Sequence, residues 1–421
     1  MGDEEGTLAI EDYVEHLPLR VPPDEVHAMV EYLLEEHPVV HSDADGGFWV
    51  VNRHADLLKV MQDWRTFENG NPGVRIPHDP QGVNRPPMPP IDSNPPLHRQ
   101  VREVMNPFFA PAALAKWEGR IREIIGGLIA EFAGDGRADI AIQLAKKFPS
   151  QITAETLLGV TDPDQLENLR IWNRRLSYDL LTEDPKVLAA VQVEFSKWSH
   201  ALVDKRKSEP GDDVVSALVQ ATVDGERLVS DEEVVGAIQI VVAGGFSTTA
   251  DATCNIVVRL IEDPELEPLL RAHPELIPAA VEEILRLDPP VMNRPRKCTR
   301  DTEIGGTVIP ANDRVLCNYV AANVDPLEWV DADEFKIDRT RNRVMTFGAG
   351  PHRCIGSNMA RLSLRIMVEE LLLRVTAIRY ADEIGARRIS TQPGGWRMVD
   401  GLPVTFSPVA SDGAADSGAS D

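Results

Sequence analysis

The chain is 421 residues long, 43% hydrophobic and 26% charged, with a formal net charge of −24 at pH 7. That composition supplies a sizeable core and excludes a disordered chain, while the acidic balance excludes general nucleic-acid binding, which needs surface Lys and Arg against phosphates. Length alone suggests roughly two or three domains, although large single domains exist.

The opening stretch, Met1 to Glu25, is acidic and has neither the basic leader nor the apolar core of a signal peptide. No run approaches the roughly 18 apolar residues of a membrane span, so no membrane contact and a cytoplasmic location are expected. Next, GGFWVVNRHADLLKVMQDWRTF changes period from a short β-branched strand to an amphipathic helix, Ala55 to about Asp63. Glu68 to Pro96 then carries nine prolines, which exclude regular helix and central strand. A loop of that length between regular elements is ordinarily functional, and we read it as a substrate-side lid. From Leu97 to about Leu285 the apolar spacing is helical. Lys297 to Leu316 alternates short β segments with Gly-Gly and Pro-Ala-Asn turns, and Ala386 to Phe406 reads as a second small β unit. Residues 408–421 are small and polar, the composition of a disordered tail. No linker or repeat divides the rest, so residues 1–407 are expected to form one large, mainly α domain with minor β.

The four cysteines, Cys254, Cys298, Cys317 and Cys354, form no C-x-x-C pair, which excludes a disulfide framework and a structural zinc site. In a reducing compartment the default for each is a small buried hydrophobe. Cys354 differs in its setting, TFGAGPHRCIGSNMARLSLR. Gly348, Gly350 and Gly356 let a loop turn tightly and approach a flat ligand, and the helix that follows, with the loop amides, favours a thiolate. Thiolate is the form that ligates iron.

Phe347-Gly348-Ala349-Gly350-Pro351-His352-Arg353-Cys354-Ile355-Gly356 resembles, position for position, the haem-binding signature F-G-x-G-x-[HR]-x-C-x-G of the cytochrome P450 family. Three further segments resemble the same family. Glu283 and Arg286, which meet on one helical face, match its E-x-x-R, with Arg339 in the place of the third member of a buried ion network. His98 and Arg102, one helical turn apart, match a helix that contacts haem propionates; Arg296 and His352 match two more propionate partners, as charge-assisted bonding to carboxylates requires. Gly244-Gly245-Phe246-Ser247-Thr248-Thr249 matches [AG]-G-x-[DE]-T-[TS] with Thr248 in the threonine position. Two central glycines cost a helix about 1 kcal/mol each relative to alanine, and an opening for dioxygen is the functional reason for bearing that cost. Here the chain departs from the family: the acid position is Ser247, which holds water but does not ionise near neutral pH. Val344, Val324 and Ser363 are lesser departures, at places where the family often has His, Arg and Glu.

The resemblance spans nearly the whole chain and implies a single mainly α prism with a small β side, holding haem b. It places Cys354 on the iron, Gly244, Gly245, Phe347, Gly348, Ile355 and Gly356 against the cofactor, and Thr248 with Ser247 in proton delivery. It further implies a monooxygenase that inserts one atom of O2 into a small, largely apolar substrate. That substrate would be held by the proline-rich loop, Val241, Val242, Gly245, Thr248, Pro289 to Asn293 and the Trp396 region. Electrons would come from a separate ferredoxin, its reductase and NAD(P)H. Arg339 to Arg353, with four arginines and no acid, would attract an acidic ferredoxin. Direct use of peroxide by the same site and a non-catalytic haem sensor are the alternatives.

Overall fold

The computed structural model describes residues 26–70, 74–76, 78–80, 82–179, 183–340, 343–383, 385, 387–390 and 397–409. Fourteen α-helices and fourteen strands follow in chain order among them. The first stretch runs α1 (Val26–Glu36), β1 (Val39–Ser42), β2 (Phe48–Val51), α2 (His54–Gln62) and β3 (Phe67–Glu68). A helical stretch follows: α3 (Leu97–Phe109), α4 (Pro111–Leu114), α5 (Glu118–Ala133), strand β4 (Arg137–Asp139), α6 (Phe148–Thr153), α7 (Pro163–Ser177), α8 (Pro185–Ser208) and α9 (Val214–Gln220). The hairpin β5 (Thr222–Val223) and β6 (Glu226–Arg227) leads into α10 (Asp231–Glu262), α11 (Leu266–Ala272) and α12 (Ile277–Leu287). Then come β7 (Asn293–Cys298), β8 (Thr302–Ile304), β9 (Thr307–Ile309), β10 (Arg314–Asn318), α13 (Tyr319–Asn323) and α14 (Ser357–Arg374). Strands β11 (Val375–Tyr380), β12 (Arg387–Ser390), β13 (Arg397–Gly401) and β14 (Pro403–Pro408) close the chain.

The expected helix after Ala55 is α2, and the expected small sheet is part of a five-stranded sheet in the order β1-β2-β10-β7-β3. In it β10 pairs parallel with β2 and antiparallel with β7. A second sheet, β11-β14-β4, joins the last strands of the chain to the strand between α5 and α6. Its register pairs Ser407 with Thr376 and Pro408 with Val375, so the expected tail does not start at 408: that residue still lies in a strand. Residues 410–421 and Trp396 lie outside the described residues.

Helix α10 runs through the middle of the molecule. A capping box starts it: Ser230 Oγ accepts from the Glu233 N–H and the Glu233 carboxylate accepts from the Ser230 N–H, satisfying amides the helix itself leaves open. It packs against α6, α7, α8, α9, α12 and α14, and burying apolar side chains on all sides holds it there. Contrary to the hydropathy expectation, it is long and apolar enough to cross a membrane, but most of its apolar window is covered by other helices. It is the core helix, continuous through Gly244 and Gly245.

The largest core cluster runs from Val101 to Phe406. A second brings α1 against the five-stranded sheet through Leu33, Phe48 and Leu316. The proline-rich segment is not an outlying loop. Val74, Ile76, Val83 and Met88 are buried, and a Cβ at Gly236 of α10 would lie 1.7 Å from the Pro87 carbonyl oxygen. The segment therefore lies directly on the central helix.

Candidate active site: a cysteine loop facing a long helix

Phe347 to Gly356 is folded back on itself by backbone hydrogen bonds: Cys354 N donates to Phe347 O (2.8 Å), Gly348 N to Met345 O (2.7 Å) and Arg353 N to Gly350 O (3.1 Å). Gly348 and Gly350 have φ of +65° and +66°, the left-handed region that glycine enters without strain. A side chain at Gly350 would also place its Cβ 2.2 Å from Met61 O, so glycine is required there twice over. Helix α14 begins directly after Gly356.

Cys354 is exposed, unlike the buried Cys254, Cys298 and Cys317, but the surface it exposes is the wall of a cavity. That cavity has a volume of about 280 Å3, far more than one water occupies. Burial among protein atoms pushes the Cys354 thiol up, opposed by the Gly356 N–H and by Arg102, Arg294 and Arg353. The Gly356 N–H and the arginines act in the thiolate's favour, as the glycines and the following helix suggest, and a bound metal ion deprotonates such a thiol outright.

Basic residues converge on the same cavity: His98 and Arg102 from α3, Arg294 and Arg296 from β7, His352 and Arg353 from the loop. The rings of His98 and His352 lie 4.1 Å apart between centroids. Burial pushes His98 down to about 4 and, together with Arg296, His98 and Arg102, pushes His352 down to about 2. The buried Nε2 atoms of both histidines have no hydrogen-bond partner. Among the described residues neither Arg102 nor Arg296 bonds a carboxylate: Arg102 donates to Arg353 O (2.8 Å) and Arg296 to Pro295 O (2.7 Å). Four donors without an anion, two of them orphaned in the interior, suit a guest that brings carboxylates. A flat apolar ring with propionate arms, set against a cysteine loop, meets that requirement, and these residues fit haem.

Across the cavity stands α10. Gly244 and Thr248 line it, and the Thr248 hydroxyl donates to Gly244 O (2.6 Å). No atom lies within 4 Å of a Cβ built on Gly244, whereas one on Gly245 would sit 2.6 Å from Thr153 Oγ1. Gly244 thus keeps the cavity open, and Gly245 lets α6 approach α10. Ser247 does not reach the cavity. It is 1% exposed, and its Oγ accepts from Asn173 Nδ2 of α7 at 2.8 Å. One residue's rotation on the helix turns it about 100° away from Thr248, so Ser247 tethers α10 to α7, and a part for it in proton delivery would run from the α7 side of the helix.

The expected substrate contacts divide. Val241, Gly245, Thr248, Pro290 and Val291 line the cavity, as do Asn69, Pro90 and Ile91 of the proline-rich segment. Val242 is fully buried in the main core and Met292 belongs to the cluster under α1; neither lines the cavity. Sequence patterns gave no sign of Ile152, Leu157 and Ile240, which do. They are apolar residues of apolar helices, and only tertiary packing selects which of those face a void.

Behind the loop, Glu283 accepts from Arg286 at 2.9 and 2.7 Å and from Arg339 at 2.8 Å. Arg286 also donates to Asn323 O (2.8 Å), and its side chain is 0% exposed. The network that the family resemblance implied is present. Arg339 is committed to it and is 13% exposed, so it leaves the expected partner-binding patch. Arg343 is exposed but pairs with Glu328 at 3.2 Å.

Residues 179–378 match the family model for cytochrome P450. The chain is 33% identical over 362 residues to a linalool 8-monooxygenase of Pseudomonas putida, covering 83% of this chain and 88% of that one. It is 35% identical over 338 residues to a mycinamicin IV hydroxylase/epoxidase of Micromonospora griseorubida, 79% of this chain and 83% of that. A solved mutant of P450 EryK in complex with erythromycin B superposes with a TM-score of 0.83 at 32% identity, covering 93% and 100% of the two chains. A cysteine in a glycine-rich turn, hydrogen-bond donors without a carboxylate around it and a glycine-threonine opening opposite thus meet relatives named for the chemistry they imply: the chain belongs to the cytochrome P450 family and is a monooxygenase with haem b as its cofactor.

Proposed function

We propose that this monooxygenase is a cytoplasmic enzyme that inserts one oxygen atom from O2 into a small, largely apolar organic molecule, with electrons from a separate ferredoxin served by its reductase and NAD(P)H. The observation that carries the reading is the cavity itself, which has Cys354 and the cationic donors on one wall and Thr248 with aliphatic side chains on the other.

In this reading Cys354 ligates the iron, and His98, Arg102, Arg296 and His352 bind the propionates. Phe347, Gly348, Ile355 and Gly356 form the surface under the ring, with Gly244 and Gly245 above it. Haem so bound supplies the activation of dioxygen, favoured by thiolate ligation. The protein contributes binding, orientation and the exclusion of water. Ile91, Ile152, Leu157, Ile240 and Val241 give the substrate side an apolar lining, with Asn69 and Thr153 as polar points. Such a lining selects by shape and hydrophobicity, and a few polar groups fix orientation. Relatives named for linalool and mycinamicin IV support an organic substrate of this kind. Among the described residues of the arginine patch, the exposed Arg353, beside the cysteine, offers a cationic contact for an acidic ferredoxin, and Arg341 lies outside the described residues.

The test begins with purified protein. Its reduced carbonyl adduct is expected to absorb where thiolate-ligated haem does, and a histidine-type band would overturn the assignment of Cys354. Spectral titration with a metabolite panel then finds ligands, and turnover is measured with ferredoxin, reductase and NAD(P)H. Faster product formation from peroxide alone would replace the monooxygenase reading with a peroxygenase; normal reduction without product from any binder would favour a sensor.

A further inference from the structure

Asp251 is the one carboxyl in the buried middle of α10. It is 3% exposed. Its Oδ2 has no hydrogen-bond partner, and its Oδ1 lies 3.4 Å from the Tyr178 hydroxyl, just beyond α7. The same hydroxyl is 3.3 Å from Ser247 O, so its single proton serves one acceptor at a time. Asp251 stands three residues after Thr248 and four after Ser247, the two spacings that make helical neighbours. Thr248 and the residue at 247, by contrast, are adjacent in sequence and point apart.

The charged and titratable groups that bear on Asp251 come from each side. Tyr178 comes from the α7 end, the half-buried Lys146 from the turn before α6, and the fully buried Cys254 from α10 itself. Burial drives Asp251 well above the usual carboxylate range, while Lys146 and Tyr178 pull it back. Tyr178 is raised in turn, by burial and then by Asp251. The group therefore holds its proton where an exposed aspartate has lost it.

We propose that Asp251 is the proton-holding carboxyl of the distal side, delivering through Thr248 and recharged past Tyr178, in place of the acid that position 247 lacks. This rests on the monooxygenase reading. Reduction of dioxygen consumes protons at the Thr248 end of the cavity. No hydrogen bond joins Asp251 to Thr248 directly, so one water bridges them: the O–H bond of Asp251 breaks as one forms at that water, the water gives a proton to Thr248 Oγ1, and the threonine's own proton leaves Gly244 O and enters the cavity. The carboxylate left behind takes a proton from solvent along the Tyr178 and Lys146 side, and the electrons come from the redox partner. Because it acts through Thr248, Asp251 is a positioning residue for the proton.

Infrared spectra of the ferric holoenzyme at neutral pH, in H2O and D2O, are expected to show a protonated carboxyl band that shifts in D2O. Asp251→Asn is expected to abolish it and Asp251→Glu to move it. In turnover, the natural protein is expected to lose coupling at high pH, and Asp251→Asn is expected to lower product per electron severalfold, with a matching rise in released peroxide, and to remove that pH dependence. Asp251→Glu restores part of the yield. Absence of the band in the natural protein overturns the proposal even if no substrate is ever found. Presence of the band with unchanged yield and pH profile in Asp251→Asn also overturns it, because the acid would then be structural. Should Asp251→Asn fail to incorporate haem, Tyr178→Phe is the second probe: the proposal requires it to shift the same band and alter the coupling ratio, and no change in either refutes it.

Discussion

The cysteine loop and helix α10 face each other across one cavity but are built on opposite plans. The loop is fixed largely by its own backbone: short-range main-chain hydrogen bonds and two left-handed glycines set the position of Cys354, with Arg102 bracing it at Arg353 O. Helix α10 is regular throughout, and what distinguishes its residues is which neighbour each side chain meets: Gly245 meets α6, Ser247 meets α7, and Thr248 meets the cavity. A site of the first kind follows from local sequence. One of the second kind depends on packing, and there the chain departs from its family.

The difference can be broken most severely behind the loop. Arg286→Ala leaves Glu283 buried without its principal partner, and removing one member of a buried pair costs about 3–5 kcal/mol. Most of the protein is expected without haem, as read by the absorbance ratio of haem to protein and by thermal unfolding; a melting temperature within a degree of the parent would show the network to be dispensable. Next comes Gly350→Ala, which meets both a left-handed φ and a backbone oxygen at 2.2 Å. It is expected to cost on the order of 2 kcal/mol or more and to disturb the thiolate spectrum of whatever protein folds. On α10 the corresponding change has the opposite sign. Gly244→Ala meets no neighbour within 4 Å and should stabilise by about 1 kcal/mol through helix propensity, while weakening ligand binding in spectral titration.

The smallest effect is one of pH. Asp251 has its folded-state pKa raised, so the folded state keeps a proton that the unfolded chain releases. Stability from this source is fully present below the unfolded pKa and is lost as pH rises through the folded one. Asp251→Asn should therefore flatten the alkaline side of the stability curve in denaturant titrations at several pH values. A curve parallel to the parent's would mean that Asp251 ionises normally.

These contrasts mark how far the sequence could be read. The cysteine turn, the Glu283–Arg286 pair and the mainly α architecture were legible because each is set by spacing within a short window or by a periodic pattern, whereas Arg339 joined that pair only through the resemblance. Convergence of His98, Arg102, Arg296 and His352 was legible only through the resemblance, since nothing local links α3 to β7. Val242 was misplaced because α10 is apolar on nearly every side, so its periodicity does not say which face meets the cavity. Asp251 escaped notice in the same way, its partners Tyr178 and Lys146 being distant in sequence. Pro408 was assigned to a tail by composition, but pairing with β11 overrode it.

The Pro87 carbonyl occupies the space where residue 236 would otherwise carry a methyl group. The first turns of the central helix and the segment bearing Asn69, Pro90 and Ile91 are in consequence one mechanical unit, separated by no side chain. Bulk introduced at 236, remote from the iron, would be transmitted as a displaced ceiling, and the enzyme would register it in which molecules it admits and which carbon it oxidises.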